Sequence, residues 1–284
     1  MDQFWSSSDF AYMCLRDRRR TLALAEAVGR TVRPGDVVLD VGAGTGILSL
    51  FAARAGAARV VAVEADPVLA GMLCETVTAN GLDGTITVLA ADIRDVDPAA
   101  EAGLAAVDVV LAELIETGLI EETLVPVLND LYRRGVITGG CRVVPSGYRT
   151  RVQLVHLDQR AYGFAFPVFR HEWPFLNSGG DWLSVDVVGR GPAVGVWAGR
   201  LDSGPVDEVV DTRITAVVDG SAPVNGVRIL GEAVLADGVR LGACNTLNGD
   251  KVVPVPERDV AGRVALRVRY RMGAGLPELD VRWA

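Results

Sequence analysis

The sequence predicts an α/β protein in two parts, a doubly wound parallel sheet followed by a β-rich, barrel-like part. In the first half, short apolar runs alternate with helical segments, an order typical of strand–helix–strand units. From about residue 141 onward, short alternating runs broken by glycine and proline replace the helical periodicity. The 284 residues exceed the common size of one domain. We therefore place the first part at residues 1–144 and the second at residues 145–284.

The predicted elements of the first part are apolar runs and helical segments that end at glycine, proline or a charged residue. Good helix formers without proline over residues 10–28 predict one or two helices. The other predicted elements are a strand at 37–41, a helix at 47–55, a strand at 59–63, a helix at 67–80 and strands at 85–89 and 107–111. In a sheet of this kind, ligands bind at the carboxyl ends of the strands.

Composition and charge argue against several classes of protein. A net charge of −8 repels nucleic acid, and we interpret the arginine-rich stretch at 16–20 as a solvated helix face. Four cysteines without a C-x-x-C pair argue against a zinc site and a disulfide framework, so no metal is expected. The apolar runs are shorter than the roughly 20 residues of a membrane span, and residues 1–9 lack the pattern of a secretory signal. We expect a cytoplasmic protein without membrane contact.

A glycine loop follows the first predicted strand. Asp40 is followed by Gly42, Gly44 and Gly46 in a G-x-G-x-G turn that opens a helix. A dinucleotide fingerprint would place its third glycine at Ile47, which weakens a nicotinamide interpretation. The loop instead resembles the first motif of class I methyltransferases, which have a Rossmann-like domain. That resemblance implies S-adenosyl-L-methionine as the cofactor, with its methionine part wrapped by the loop.

Acidic residues at the next two strand ends fit the same cofactor. Glu64 ends the second strand, where a carboxylate can accept hydrogen bonds from both ribose hydroxyls, as in the class I pattern. Asp92 follows the third strand and would accept from the adenine amino group, with the backbone of Ile93 touching the ring. Asp92 as a solvated loop acid stays open, because Arg94 and Asp95 compete for the same edge.

Two glutamates after the fourth strand suggest the substrate. Glu113 and Glu122 are nine positions apart, the spacing of the double-E hairpin in protein arginine methyltransferases, which the sequence resembles here. The stretch at 15–21 is similar to the family's Leu-x-Asp-x-x-Arg-Thr, and this resemblance implies that Arg20 meets the carboxylate of the cofactor. The alternative is that Glu113 and Glu122 are exposed acids on an acidic loop that also holds Glu116 and Glu121.

The chemistry of the guanidinium group explains a pair of glutamates. Its pKa lies above 12, so a side-chain base does not simply deprotonate it. Two carboxylates can hold it by bidentate hydrogen bonds, fix one nitrogen in line with the methyl group and draw the charge toward the other nitrogen. We expect methyl transfer to a guanidino nitrogen of free arginine, of a small arginine-derived compound, or of an arginine-containing peptide or protein.

The second part departs from the family. At residues 245–248 the sequence Asn-Thr-Leu-Asn keeps the threonine of the family's Thr-His-Trp loop but loses its histidine, the usual partner of Asp17. His156 and His171 are interpreted as structural. A rewritten entrance is compatible with a small guanidine substrate in place of a protein tail, so the size of the substrate stays open. A homodimer is compatible with the region after Tyr162 where the family inserts its dimerisation arm. Two other hypotheses stay open: an O- or N-methyltransferase of a secondary metabolite, and a non-enzymatic regulatory subunit.

Overall fold

The first module is a parallel sheet with helices, as predicted. The computed structural model describes residues 10–101, 106–172, 183–244, 246 and 248–284. Two helices precede the sheet, α1 (Phe10–Arg16) and α2 (Arg18–Thr31). The elements that follow are β1 (Val37–Val41), α3 (Ile47–Arg54), β2 (Arg59–Glu64), α4 (Pro67–Ala79), β3 (Ile86–Ala90), α5 (Pro98–Glu101), β4 (Val109–Ala112), α6 (Leu124–Arg133) and β5 (Arg142–Val144).

The strand order β3-β2-β1-β4-β5 is that of a doubly wound sheet. β1 lies at the centre, paired in parallel with β2 on one side and β4 on the other. Four of its five residues are buried, which explains why the run at 37–41 is apolar apart from Asp40. Because the strands of this sheet are parallel, their carboxyl ends lie at one edge, and the loops after β1, β2 and β4 meet there.

The second module is an antiparallel sheet whose main path is β10-β6-β11-β13-β14. The strands are β6 (Gly147–Ala161), β7 (Phe164–Ala165), β8 (Arg170–Glu172), β9 (Leu183–Gly189), β10 (Val194–Arg200), β11 (Val209–Ala236), β12 (Val239–Leu241), β13 (Asp250–Arg271) and β14 (Asp280–Trp283). This confirms a β-rich second part. The pairings of the described residues form an open path, so closure into a barrel stays a prediction.

The chain passes from one sheet to the other between β5 and β6. β5 pairs with β4 up to Val144, and β6 begins at Gly147 and pairs with β11. The division into residues 1–144 and 145–284 stays a prediction. Buried side chains of both modules form one hydrophobic cluster, in which Leu119 and Ile120 of the first module lie with Tyr148 and Ile229 of the second. None of the described helices has the length and apolarity needed to span a lipid bilayer.

Candidate active site

A cavity of about 590 Å³ opens where the carboxyl ends of the central strands meet the second module. It brings together eight of the ten residues predicted from the sequence. These are Arg20, Gly42, Gly44, Glu64, Asp92, Ile93, Glu113 and Glu122. Asp40 and Gly46 do not line the cavity: Asp40 lies in β1 before the glycine loop, and Gly46 is the residue of the loop that caps α3.

The glycine loop has a backbone that other residues rarely adopt. Gly42, Gly44 and Gly46 all have positive φ, at 68°, 53° and 78°. A Cβ at Gly42 would lie 2.7 Å from the Leu114 side chain, and one at Gly46 would overlap Leu73. The glycines therefore allow both the turn and the close packing of the loop against its neighbours.

Asp40 supports the loop from the core. Its side chain is almost fully buried, and Oδ2 accepts a 2.6 Å hydrogen bond from the Ser49 hydroxyl on α3. Burial, with a smaller contribution from the nearby Glu64 carboxylate, raises the pKa of Asp40 to about 6. Asp40 thus links β1 to the helix that follows the loop and does not line the cavity, and its part in cofactor binding stays a prediction.

Glu64 ends β2 and reaches across to the glycine loop. Its Oε2 accepts from the Gly44 N–H at 2.7 Å, and its Oε1 accepts from the Asp66 N–H at 2.9 Å. Each carboxylate oxygen has a second lone pair, so the same group can accept from ribose hydroxyls while it holds the loop.

Asp92 and Ile93 lie at the third strand end, as predicted. Arg94 holds the Asp92 carboxylate through Nε, 3.0 Å from Oδ1, and this contact lowers the pKa of Asp92. The Ile93 carbonyl accepts a 2.8 Å hydrogen bond from Arg134, which fixes the loop from outside. Arg94 engages both oxygens of Asp92, and which residue of this loop meets the adenine stays a prediction.

Arg20 and Glu113 form an ion pair at the cavity. The Arg20 Nη2 contacts Glu113 Oε2, with both side chains less than a tenth exposed. The sequence assigned them to different ligands, Arg20 to the cofactor and Glu113 to the substrate, yet the structure joins them directly. Within the described chain, Arg20 Nε and Glu113 Oε1 are buried without a hydrogen-bond partner. Two polar groups thus remain available for a ligand.

Glu122 lies at the other end of the same loop with an altered acidity. Burial, with a smaller contribution from the adjacent Glu121 carboxylate, raises the pKa of Glu122 to about 7. Glu121 also lines the cavity. A hydrogen bond with His171, together with Lys251, lowers the pKa of Glu121 to about 2. Two neighbouring carboxylates therefore have opposite shifts.

Comparisons with known proteins agree with this arrangement. The sequence profile of the TRM5/TYW2 methyltransferase domain matches residues 18–137. An arginine N(omega)-methyltransferase of Streptomyces achromogenes subsp. streptozoticus is 35% identical over 148 residues, which cover 52% of this chain and 40% of that protein. An uncharacterized protein of Methanocaldococcus jannaschii is 27% identical, with 95% of each chain covered. The solved Trypanosoma brucei PRMT1 enzyme–prozyme heterotetrameric complex with AdoHcy has a TM-score of 0.75 at 18% identity, over 97% of this chain and 92% of that chain.

This chain resembles the protein arginine methyltransferases. Its fold matches theirs across both modules. The predicted fold, a Rossmann-like methyltransferase domain followed by a β-rich part, is therefore confirmed. The match to the Streptomyces enzyme spans only two fifths of that protein, and its activity is therefore a proposal for this chain.

The helix motif shared with the arginine methyltransferases has a different partner here. Asp17 Oδ2 accepts from the Thr246 N–H at 2.9 Å and from the Thr246 hydroxyl at 3.1 Å. Asp17 Oδ1 accepts from the Arg20 N–H and caps α2. Asp17 thus has Thr246 of the second module as a hydrogen-bond partner. The predicted loop residues Asn245 and Leu247 lie outside the described residues.

The structure adds site residues that sequence reasoning missed. We call residues 113–122 the double-E loop. Lys251 on β13 is completely buried and contacts Glu116 and Glu121 of this loop on the side away from the cavity. His171, interpreted as structural, lies 3.4 Å from Glu121. A Gly-Ala-Gly turn at 273–275 lines the cavity from the second module and donates two backbone hydrogen bonds to the loop. The one signal was that Lys251 is the single lysine among 28 basic residues.

Proposed function

We propose that this chain is an S-adenosyl-L-methionine-dependent methyltransferase that modifies a guanidino nitrogen of arginine. The observation that carries the proposal is the placement of Glu113 and Glu122. They lie at the two ends of one loop and line the same cavity as the glycine loop. A guanidinium group has donors on opposite edges, which suits two carboxylates on one wall of a cavity.

The residues present fit the proposed cofactor. The backbone at Gly42 and Gly44 passes close to the cavity without side chains, and Glu64 is placed to accept from a ribose. The buried Arg20 Nε lacks a protein partner, so the guanidinium can donate to a ligand carboxylate while Nη2 holds Glu113. Asp92 and Ile93 would border the adenine ring, and Asp40 and Gly46 would keep the loop in shape.

The reaction requires one new bond. When bound, S-adenosyl-L-methionine would supply a methyl group on a sulfonium, whose carbon–sulfur bond would break as the new carbon–nitrogen bond forms. Glu113 and Glu122 hold the guanidinium so that one nitrogen faces the methyl group. That nitrogen loses a proton as its lone pair is used. With its pKa raised to about 7, Glu122 is a suitable acceptor, because it can take up a proton near neutral pH.

We propose free arginine or a small arginine-derived compound as the substrate. The name of the Streptomyces relative supports arginine as the reacting group. The turn at 273–275 supports a small compound, since it borders the cavity and packs against the loop after Glu122. An arginine-containing peptide is the alternative substrate.

The test is a mass-spectrometric assay with S-adenosyl-L-methionine and either free L-arginine or an arginine-rich peptide. A gain of one methyl mass on free arginine supports the proposal, and a gain on the peptide alone replaces the small substrate by a protein. No gain on either, with cofactor binding intact by calorimetry, overturns arginine methylation.

A second candidate is an O- or N-methyltransferase of a secondary metabolite. The raised pKa of Glu122 favours it, because a carboxyl group that titrates near neutrality can act as general base for a hydroxyl. Methylation of phenols or amino sugars, and of no guanidine, would select this candidate.

We further propose a homodimer and a cytoplasmic location. Tyr162 and Phe164, at the turn between β6 and β7, are about 70% exposed, and Tyr12 and Leu22 on the first helices are more than half exposed. Exposed apolar side chains at two places are suited to burial between two copies. Light scattering after gel filtration tests the dimer, and a monomer at micromolar concentration would contradict it.

The cysteines support the proposed cytoplasmic location. All four are free, as in a reducing compartment.

A further inference from the structure

A buried charge cluster lies directly behind the double-E loop. Lys251 is completely buried on β13, and its Nζ contacts both carboxylate oxygens of Glu116. The same Nζ lies 2.9 Å from Glu121 Oε2. On the neighbouring strand β8, His171 Nε2 lies 3.4 Å from that oxygen. One ammonium group from the second module therefore serves two carboxylates of the first.

Glu116 connects this cluster to the shape of the loop. Its Oε1 accepts from the Ile120 N–H at 3.0 Å, and its Oε2 accepts from the Glu121 N–H at 3.3 Å. These bonds close the turn that leads directly to Glu122. The ionised form of Glu116 strengthens both of these hydrogen bonds, because a charged carboxylate is the better acceptor. Lys251 favours the ionised form, although burial raises the pKa of Glu116 to about 7.

The loop carries four glutamates and needs a cation. Arg20 pairs with Glu113, and Lys251 pairs with Glu116 and Glu121. Glu122 is left at the cavity for the substrate. Without Lys251, the carboxylates of 116, 121 and 122 would repel one another in a partly buried space, and Glu122 would hold its proton more tightly.

We infer that Lys251 is a positioning residue for substrate binding, which neutralises Glu116 and Glu121 and thereby presents Glu122 to the guanidinium. The inference rests on the proposed function. Lys251 does not line the cavity, so it acts through the loop rather than on the substrate. The groups that face it are Glu116 and Glu121 from the loop, with His171 beside Glu121.

The test uses three variants and one control. Lys251→Met removes the cation, Glu116→Gln removes one carboxylate but keeps its shape, and the double variant restores a neutral pair. Arg267→Met is the control. Arg267 lies on β13, sixteen positions after Lys251, and the change removes the cation of its exposed ion pair with Asp211 of β11. For each protein, kcat and KM for L-arginine are measured across pH 6–9, and calorimetry measures cofactor and arginine binding.

For Lys251→Met we expect kcat/KM for arginine to fall about 100-fold at pH 7, which is the loss in rate that a displacement of the reacting group by about 1 Å can cause. The acid limb of the profile moves to higher pH, so part of the activity returns at pH 9, while cofactor affinity stays unchanged. In the double variant the limb moves back toward the wild type. The Arg267→Met profile coincides with that of the wild type.

Several results would overturn the inference. A Lys251→Met enzyme with wild-type kinetics, or one that loses activity equally at every pH without rescue by Glu116→Gln, shows that Lys251 has no such role. If Lys251→Met does not fold, Glu116→Gln alone decides: an acid limb at lower pH supports the inference, and an unchanged limb contradicts it. A wild type that neither methylates nor binds arginine overturns the proposed function as well, whereas an active wild type confines the failure to Lys251.

Discussion

The two ends of the loop at residues 113–122 are held by different modules. At the first end, Arg20 from the N-terminal helices pairs with Glu113 inside the first module. At the second end, Lys251 and His171 from the antiparallel sheet hold Glu121 beside Glu122. The difference indicates a division of labour. The Glu113 end is paired within the first module, and in the proposed function this end also faces the cofactor. The Glu122 end is held through Glu121 by the second module.

The largest expected effect separates the two ends by their influence on the cofactor. Glu122→Gln should lower kcat for arginine about 100- to 1000-fold, since it removes the negative charge that holds the guanidinium group. Its affinity for the cofactor should match the wild type. Glu113→Gln should lose turnover to a similar extent and also change cofactor affinity, because it releases Arg20. Turnover assays and calorimetry on both variants check this, and equal cofactor affinities for both would remove the distinction.

The next effect concerns the stability of the first end. Arg20→Met leaves Glu113 as a buried charge without its cation, and we expect the free energy of unfolding to fall by about 3 kcal/mol. The double variant Arg20→Met with Glu113→Gln should recover part of that loss. Urea unfolding measures both. A single variant as stable as the wild type would show that the pair contributes nothing to the fold.

The second end is sharpened by the pH dependence of catalysis. The pKa of Glu122 is raised to about 7, so the ionised fraction of its carboxylate grows as the pH rises through that value. kcat/KM should therefore rise as the pH increases through 7. Glu121→Gln removes the neighbouring negative charge that raises this pKa, and the acid limb should then move to lower pH. A limb that moves to higher pH in Glu121→Gln would contradict the role given to Glu121.

The smallest effect is expected at the contact between α2 and the second module. Thr246→Val removes the hydroxyl that donates to Asp17 but keeps the backbone N–H that donates to the same oxygen. The free energy of unfolding should fall by about 1 kcal/mol, the value of one hydrogen bond. Thermal unfolding measures this change. A loss as large as that of Arg20→Met would mean that Thr246 has a larger role than one bond.

The cofactor half of the site was predictable because its signals are local. The glycine loop requires positive φ at three nearby positions, and only glycine adopts these readily. Glu64 and Asp92 directly follow apolar runs, so strand geometry alone places them at one edge of the sheet. Resemblance to a family added Arg20, Glu113 and Glu122, and the cavity contains all three.

The other half was not predictable, because it depends on contacts between distant segments. Glu116 and Lys251 are separated by 135 positions. A lysine in a strand is ordinarily taken to be exposed, since a buried ammonium needs partners that the sequence does not show. The ion pair of Arg20 with Glu113 was missed for a related reason. Each residue was assigned a role from its own motif, and no pattern links two motifs 93 positions apart.

The double-E loop is also hydrogen-bonded to the second module at Thr117 and Gly118. The Thr117 hydroxyl donates to the Gly249 carbonyl at 2.5 Å, and the Gly118 N–H donates to the Tyr148 hydroxyl at 3.0 Å. A chimera that joins this first module to the sheet of a relative would leave these groups without partners unless the relative supplies equivalents. Exchange of modules between relatives is therefore constrained at Tyr148, at the turn before β13 and at Lys251, and these positions would have to be transplanted together with the loop.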